Sequence, residues 1–159
     1  MQVEERKRNP FTSSAQGGRA LSAMQLPWFT IRPPEGFGVL TMTGRRTGKT
    51  RRKCVRAIGR GNKVYICSIR PTTAWLKNVR ANPNVRLRIR GGTFEGVVRE
   101  VRGTPEEPVA QEAYCETINR LDVYECRLHR PGRPSRAKIK ELHRSWFEHG
   151  TPLVVELST

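Results

Sequence analysis

The sequence lacks the long apolar run that a membrane-spanning helix requires. No stretch approaches the roughly 18 apolar residues of a spanning helix, and the first eight residues are too charged to begin a signal peptide. We therefore expect a cytoplasmic protein.

Acidic residues are scarce, since 14 Asp and Glu stand against 30 Lys and Arg, which gives a formal charge of +16. Such a charge attracts nucleic acid, anionic lipid or an acidic small molecule. Aromatic residues make up only 7% of the chain, and they do not alternate with the basic strands as stacking platforms for bases would. This argues against a basic nucleic-acid-binding module, which stays open as an alternative on charge alone.

Metal-ligand spacing is also missing. The four cysteines form no C-x-x-C pair, and Cys126 with His129 is a single isolated couple. We expect reduced thiols and no metal site.

The charge and turn pattern predicts a flexible basic arm over residues 1–18 and a single domain over residues 19–159, beginning with a short helix over residues 19–30.

Strand signals dominate the middle of the chain. Residues 38–43 are mainly apolar. Residues 52–58 show a strand-like alternation, a Gly-Arg-Gly-Asn turn follows, and residues 63–68 are the return strand of the predicted hairpin. Residues 85–89 alternate with arginines, which predicts a strand with one buried and one cationic face. Residues 153–157 form the last predicted strand.

Helical spacing appears in three places. A helix begins at Thr72 or Thr73 and ends before Asn82-Pro83, a second helical period runs over residues 110–128, and a third over residues 135–147. Five or six mostly antiparallel strands with inserted helices favour an α+β, mainly β, small barrel over a doubly wound sheet.

Residues 43–51 concentrate two glycines, three threonines and four cations in nine positions, directly after an apolar run. Glycines let a backbone bring its N–H groups close to an anion, and arginine forks and hydroxyls add side-chain donors. The segment is not a Walker A loop, because only three residues separate its glycines instead of four. A cradle for a polyanionic small molecule and a solvated basic turn both fit it.

Three segments in order resemble the deazaflavin-dependent nitroreductase family, which binds coenzyme F420. Residues 40–51 (LTMTGRRTGKTR) are similar to its L-T-T-x-G-R-x-[ST]-G-x-x-R segment. Residues 75–83 (WLKNVRANP) resemble its W-x-x-N-[LIV]-x-A-N-P, and residues 151–157 (TPLVVEL) resemble its last strand.

This resemblance implies a split β-barrel of about six strands and an F420-dependent oxidoreductase. Such an enzyme transfers a hydride from the reduced deazaflavin to a quinone, a nitroaromatic or an activated alkene. The cofactor performs the chemistry, so the sequence identifies no catalytic side chain. An FMN-binding or non-catalytic split-barrel protein is the alternative. The partners implied are the anionic cofactor, a small electron-poor substrate and an anionic membrane surface for a peripheral protein, either monomer or homodimer.

Eleven residues are candidates for binding the cofactor by this resemblance. Thr47, Gly48 and Arg51 match the phosphate side, and Ser68 matches the ring side. For Trp75 and Asn78, core packing or helix capping is favoured over contact with the cofactor. The complete set is Thr43, Gly44, Arg45, Arg46, Thr47, Gly48, Lys49, Arg51, Ser68, Trp75 and Asn78.

Arg86, Arg88 and Arg90 form the cationic face of one predicted strand. Coenzyme F420 carries a phosphodiester and an oligo-γ-glutamate tail, whose carboxylates these arginines would complement. A solvated sheet face is the other interpretation.

Overall fold

The computed structural model describes residue 28 and residues 30–158. The predicted arm over residues 1–18 and most of the helix predicted over residues 19–30 lie outside these described residues.

The described chain forms one antiparallel sheet of seven strands in the order β2-β1-β5-β6-β7-β4-β3. The strands are β1 (Phe37–Thr43), β2 (Thr50–Arg56), β3 (Ile58–Arg60), β4 (Lys63–Ser68), β5 (Asn84–Ile89), β6 (Gly92–Glu100) and β7 (Thr151–Leu157).

The sheet curls on itself, because Val55 of β2 and Ile66 of β4 join one core cluster although their strands lie near opposite ends of the order. The prediction of a mainly β split barrel with inserted helices is confirmed, with seven strands rather than five or six.

The predicted hairpin between residues 52–58 and 63–68 is wrong in one respect. The chain leaves β2 at Arg56, which pairs with Phe37 of β1, and then enters β3, in which Ile58 pairs with Tyr65 of β4. At the switch, the N–H of Ala57 donates to the Gly36 carbonyl at 2.8 Å. One alternating stretch therefore supplies both edges of the sheet.

The described chain has four helices inserted between strands: α1 (Ala74–Ala81) lies between β4 and β5, and α2 (Glu107–Glu116), α3 (Asp122–His129) and α4 (Arg136–His149) lie between β6 and β7. Thr73 caps α1 by accepting from the Leu76 N–H, and Ser135 caps α4 by accepting from the Lys138 N–H, both near the predicted starts. The continuous helical period predicted over residues 110–128 is instead two helices.

The two faces of the sheet differ in what covers them. The inner face encloses a core of aliphatic side chains, with Leu40, Leu87 and Val155 among them, and Leu76 and Val79 of α1 pack into it. The outer face of β3, β4 and β7 is covered by α2 and α4 through Tyr65, Val154 and a buried aromatic, Phe147. The outer face of β2, β1 and β5 carries a solvent-accessible groove instead.

Candidate functional site

The cation-rich loop joining β1 to β2 is a tight turn that uses most of its own amides. The N–H of Gly44 donates to the Lys49 carbonyl at 2.8 Å, and the N–H of Gly48 donates to the Gly44 carbonyl at 2.9 Å. The Lys49 N–H donates to Thr47 Oγ1 at 3.3 Å. Gly48 has φ +70°, a conformation that favours glycine. A cradle formed by backbone N–H groups is therefore not available here, because most of these groups are already used. Side chains must supply most of the contacts to a bound anion.

Arg45 anchors the loop to helix α1. Its N–H and its Nη1 donate to Oδ1 of Asn78 at 3.2 and 3.0 Å, and Nη1 also lies 3.4 Å from the Ala74 carbonyl. Asn78 is only 8% exposed, so its carbonyl oxygen is committed to this contact. These two candidate residues therefore position the loop, and Thr73, not Asn78, caps the helix.

The other cations of the loop are presented to solvent. Arg46, Lys49 and Arg51 are exposed, and within residues 30–158 none of them forms an ion pair with a carboxylate. Thr47 is exposed beside them, and Thr43 pairs with Thr50 at the base of the loop. Donors without a partner are what a phosphodiester needs.

Ser68 ends β4 and is fully buried, at 0% exposure. Its Oγ donates to the Arg70 carbonyl at 2.9 Å and lies 3.0 Å from Thr73 Oγ1. Gly150 packs against the Ser68 carbonyl and leaves no room for a Cβ. In this structure Ser68 fixes the connection to α1, so a role beside the deazaflavin ring remains a prediction.

Trp75 lies in the first turn of α1, half-buried, and packs against the barrel core. Arg45 reaches the Ala74 carbonyl and Ser68 contacts Thr73, so Arg45, Ser68 and Trp75 lie around the first turn of α1.

Lys53 belongs to this region and was missed from the sequence. It pairs with Leu40 of β1 and lies two residues before Val55 on β2. Because alternate residues of a strand share a face, its side chain lies on the inner face of the sheet with Leu40 and Val55. Burial lowers the pKa of its ammonium, and the nearby Arg70 guanidinium lowers it further. Among the described residues no carboxylate forms an ion pair with Lys53. A cation in an inward-facing strand position was the signal that would have found it.

The residues present fit an anionic deazaflavin cofactor. They offer exposed cations at the loop and two neighbouring half-buried cations, Lys53 and Arg70. The attraction between such cations and a charged ligand is strongest where the ligand also displaces water.

A second buried charge cluster lies between β2 and the helices, and sequence reasoning also missed it. Arg56 donates from Nη1 to the Tyr114 carbonyl at 2.5 Å and from Nη2 to the Thr117 carbonyl at 2.6 Å. These carbonyls end α2, where helix carbonyls lack partners. Nε of Arg56 lies 3.3 Å from Oδ1 of Asp122, and both side chains are buried. The clamp explains why the helical period breaks after Glu116.

Asp122 is the acceptor at the centre of this cluster. Burial alone would raise the pKa of its carboxyl, but His143, Arg56 and the N–H of Asn119 together lower it. The Asn119 N–H donates to Oδ2 at 2.6 Å. Nε2 of His143 is 3.7 Å from Oδ1, a distance that allows electrostatic attraction rather than a hydrogen bond. The cluster is structural, because all these side chains are enclosed.

The buried thiols do not offer nucleophiles. Burial raises the pKa of Cys67 to about 12 and that of Cys115 to about 11. Both are neutral near pH 7 and pack in the layer between sheet and helices.

Comparison with protein families gives one match. Residues 31–132 match the model of the F420H(2)-dependent quinone reductase family. No curated protein matches the chain.

Solved structures share the fold at low identity. An F420-H2 dependent reductase (FDR-A) is 18% identical, with 77% of this chain and 95% of that chain covered and a TM-score of 0.52. A domain-swapped dimer is 18% identical over 89% of this chain and 94% of that one, with a TM-score of 0.55. A heme binding protein from Mycobacterium smegmatis is 13% identical over 77% and 46%, with a TM-score of 0.52. The fold thus carries more than one cofactor, and fold alone does not select one.

The described helices include none with the length and apolar character needed to cross a bilayer.

Proposed function

The chain belongs to the F420H(2)-dependent quinone reductase family, and from this we propose a hydride transfer to a quinone or another electron-poor acceptor, with the cofactor held at the first turn of α1. The chain is therefore an oxidoreductase that uses coenzyme F420. A nitroaromatic and an activated alkene are the other acceptors in this proposal.

The site assignment rests on the loop that is fixed to α1 through Arg45 and Asn78. Its exposed cations Arg46, Lys49 and Arg51 have no carboxylate partner among the described residues. In the proposal, Arg46, Lys49 and Arg51 meet the phosphodiester, and Thr47 adds a hydroxyl. Thr43, Gly44 and Gly48 shape the turn that presents them. Fixing the loop in advance lowers the entropy lost when the ligand binds.

The bound reduced deazaflavin supplies the hydride, and the protein supplies orientation and electrostatics. We assign to Lys53 the stabilisation of negative charge on the ring or the acceptor, because it is a half-buried cation on the inner face of the sheet close to Arg70. Ser68 and Trp75 form the wall of this region in the proposal. No general acid or base is required for the hydride step itself.

Titration of the purified protein with oxidised F420, followed by its fluorescence, tests the cofactor site. We expect tighter binding of F420 than of FMN or NADPH at the same salt concentration. Equal or tighter binding of FMN would favour the FMN-binding alternative. Rapid mixing of the protein and F420H2 with a soluble quinone, a nitroaromatic and an activated alkene then ranks the acceptors by rate.

The proposal includes peripheral contact with a membrane. Trp28 and Ile31 are 75% and 74% exposed beside Arg32, a combination that favours peripheral contact with an anionic membrane. Co-sedimentation with anionic and neutral vesicles tests this.

A homodimer is suggested by the domain-swapped neighbour, and light scattering distinguishes it from a monomer.

A further inference from the structure

The outer face of β2, β1 and β5 carries a groove that none of the eleven candidate cofactor residues lines. This groove, called here the outer groove, is formed by Arg52, Arg86 and Arg88 together with four threonines and Val39, and its volume is about 260 Å³. Pockets for drug-sized ligands hold roughly 300–1,000 Å³. The outer groove is therefore sized for a small polar group rather than for a whole cofactor.

The strand register places hydroxyl groups between the arginines. Thr41 pairs with Arg52 on one side and with Arg86 on the other. Since adjacent strands lie about 4.8 Å apart, the Cα atoms of these two arginines are about 10 Å apart. In the next row on the same face, Arg88 pairs with Thr93. Guanidinium and hydroxyl donors thus converge on one strip, and the oxygen atoms of a phosphate group accept from both kinds of donor.

The positive charge of the outer groove is only partly compensated. Arg86 pairs with Glu95 at 2.7 Å and is neutralised. Arg52 is exposed and forms no ion pair with a carboxylate among the described residues. Nη2 of Arg88 donates to the Ile31 carbonyl at 3.2 Å, but its Nε is buried without an acceptor in the part of the chain that the structure describes. A buried donor without an acceptor is uncommon in native proteins, and a phosphate oxygen in the outer groove would supply one.

An exposed apolar segment borders the outer groove. Thr30 lines the groove, and its neighbours Trp28 and Ile31 are 75% and 74% exposed. The Arg32 N–H donates to the Trp28 carbonyl at 3.0 Å, so the segment forms a helical turn, on which positions three apart share a face. Arg88 fastens this turn to β5 through the Ile31 carbonyl. Two large apolar side chains are therefore held beside a cationic groove, a combination typical of proteins that bind a membrane surface.

We propose that the outer groove binds the headgroup phosphate of an anionic phospholipid, with Arg52 and Arg88 contacting the phosphate while Trp28 and Ile31 enter the adjacent interfacial layer. This step rests on the membrane contact in the proposed function and adds a specific lipid site to it. A soluble phosphate would use the same donors, but Trp28 and Ile31 would stay in water. The position of these two exposed side chains at the rim favours a lipid as the source of the phosphate.

Co-sedimentation of the full-length protein separates a built phosphate site from general attraction between charges. Vesicles of phosphatidylcholine, with and without phosphatidylglycerol, are compared. We expect Arg52→Ala to lower the partition coefficient on the anionic vesicles about fivefold. Arg136→Ala, which removes the same charge at the exposed start of α4, should lower it less than about twofold. Equal losses in the two variants would overturn the phosphate site and leave only general membrane contact.

The apolar rim is tested in the same assay. Replacing Trp28 and Ile31 together by serine should lower the partition coefficient about tenfold, because two large apolar side chains no longer leave water. Val109→Ser is the matched control, since Val109 is an exposed apolar residue on α2, and it should bind as the wild type does. Unchanged binding of the double variant would overturn the assignment to a lipid.

A titration followed by amide NMR distinguishes the sources of phosphate. Dihexanoyl phosphatidylglycerol below its micelle concentration, glycerol 3-phosphate, inorganic phosphate and oxidised F420 are added separately to labelled protein. We expect the short-chain lipid to shift the amides of Thr41, Arg52 and Thr93 at lower concentration than either soluble phosphate, and Arg52→Ala to abolish these shifts.

The remaining outcomes of the titration separate this site from the cofactor site. Shifts with a soluble phosphate at equal or lower concentration would overturn the lipid assignment. Shifts of these amides with F420 but not with the lipid would assign the outer groove to the cofactor and overturn the proposal. Failure of the protein to bind F420 at all, with the lipid shifts present, would refute the proposed cofactor function alone.

Discussion

Arginine has three different roles in this chain, set by the surroundings of each guanidinium. Arg56 is buried and holds two helix carbonyls and a carboxylate. Arg45 bonds the loop to α1 through neutral acceptors. Arg46 and Arg51 are exposed and have no carboxylate partner among the described residues. Residue type alone does not distinguish these roles, because each depends on contacts distant in sequence.

Arg51→Ala tests a presented arginine. We expect the affinity for F420 to fall by roughly 1–3 kcal/mol, because one charge-assisted contact is lost. The free energy of unfolding should stay nearly unchanged, since the exposed side chain fills no core volume. Fluorescence titration and urea unfolding measure the two quantities. Normal cofactor binding in this variant would show that Arg51 is only a solvated cation.

Asp122→Asn tests the buried clamp. The substitution leaves Arg56 buried without a counter-charge, so we expect the free energy of unfolding at pH 7 to fall by about 3–5 kcal/mol. Urea unfolding followed by far-UV circular dichroism measures this. Glu116→Gln is the matched control, because Glu116 pairs with Lys140 and Arg144 at the surface and its loss should have little effect.

The Arg56–Asp122 ion pair also predicts how the free energy of unfolding depends on pH. The pKa of Asp122 is lower in the folded than in the unfolded protein, so its stabilisation is complete above the unfolded value of about 4. It is lost as the pH falls through the lower, folded value. Wild-type stability should therefore decline more steeply below about pH 4 than that of Asp122→Asn. Equal slopes in the two proteins would contradict a charged Asp122 in the folded state.

At the scale of elements, the loop and α1 behave as one unit because two hydrogen bonds from Arg45 converge on Asn78. The Ser68–Thr73 contact ties the preceding strand to the same helix. The site thus depends on one short helix of eight residues, Ala74–Ala81. A helix this short gains its stability from packing rather than from its own hydrogen bonds.

A double-mutant cycle with Arg45→Ala and Asn78→Ala measures the coupling of loop and helix. Each single variant should lose about 1–2 kcal/mol of unfolding free energy, and the double variant less than their sum by about 0.5–1.5 kcal/mol. Both variants should also weaken F420 binding, because the loop is less well fixed. Additive effects on stability would mean that the Arg45–Asn78 contact is not formed in solution.

The helices and strands that could be predicted from the sequence are those determined by local residue patterns. Alternation predicted β5, and a threonine cap with a terminal Asn-Pro predicted α1. The separation of β2 from β3 was not predictable, because the alternating pattern runs through Ala57 and only the partner strands differ. The break between α2 and α3 was missed for a similar reason. It depends on Arg56, 61 residues before Thr117.

At the scale of the whole molecule, most of the acidic side chains that the structure describes have a basic partner. Among the described residues, Glu112, Glu141 and Glu148 are the carboxylates outside the ion pairs. The formal charge of +16 is therefore an excess of cations that the chain's own carboxylates do not balance. The family match and the exposed loop cations together account for one use of that excess, the binding of an anionic cofactor.

Salt should move stability and cofactor affinity in opposite directions. Raising sodium chloride from about 0.05 to 0.5 M shortens the screening length from roughly 14 to 4 Å. It weakens the repulsion among excess cations, so we expect the unfolding midpoint of the unliganded protein to rise. The same salt screens the attraction between loop and cofactor, so the affinity for F420 should fall. Thermal unfolding and fluorescence titration at matched salt concentrations measure the two effects.

Specific anion binding must be separated from screening in that experiment. Chloride and sulfate at equal ionic strength screen equally, so a pure screening effect gives the same rise in midpoint for both. A larger rise with sulfate at low concentration would instead indicate that sulfate occupies a site, and Arg51→Ala would reduce it if that site is the cation-rich loop. Stability that falls with chloride would mean that the surface ion pairs, such as Arg80 with Glu100, outweigh the repulsion. In that case the excess charge is distributed widely enough to cost the fold little, and its effect is confined to ligand binding.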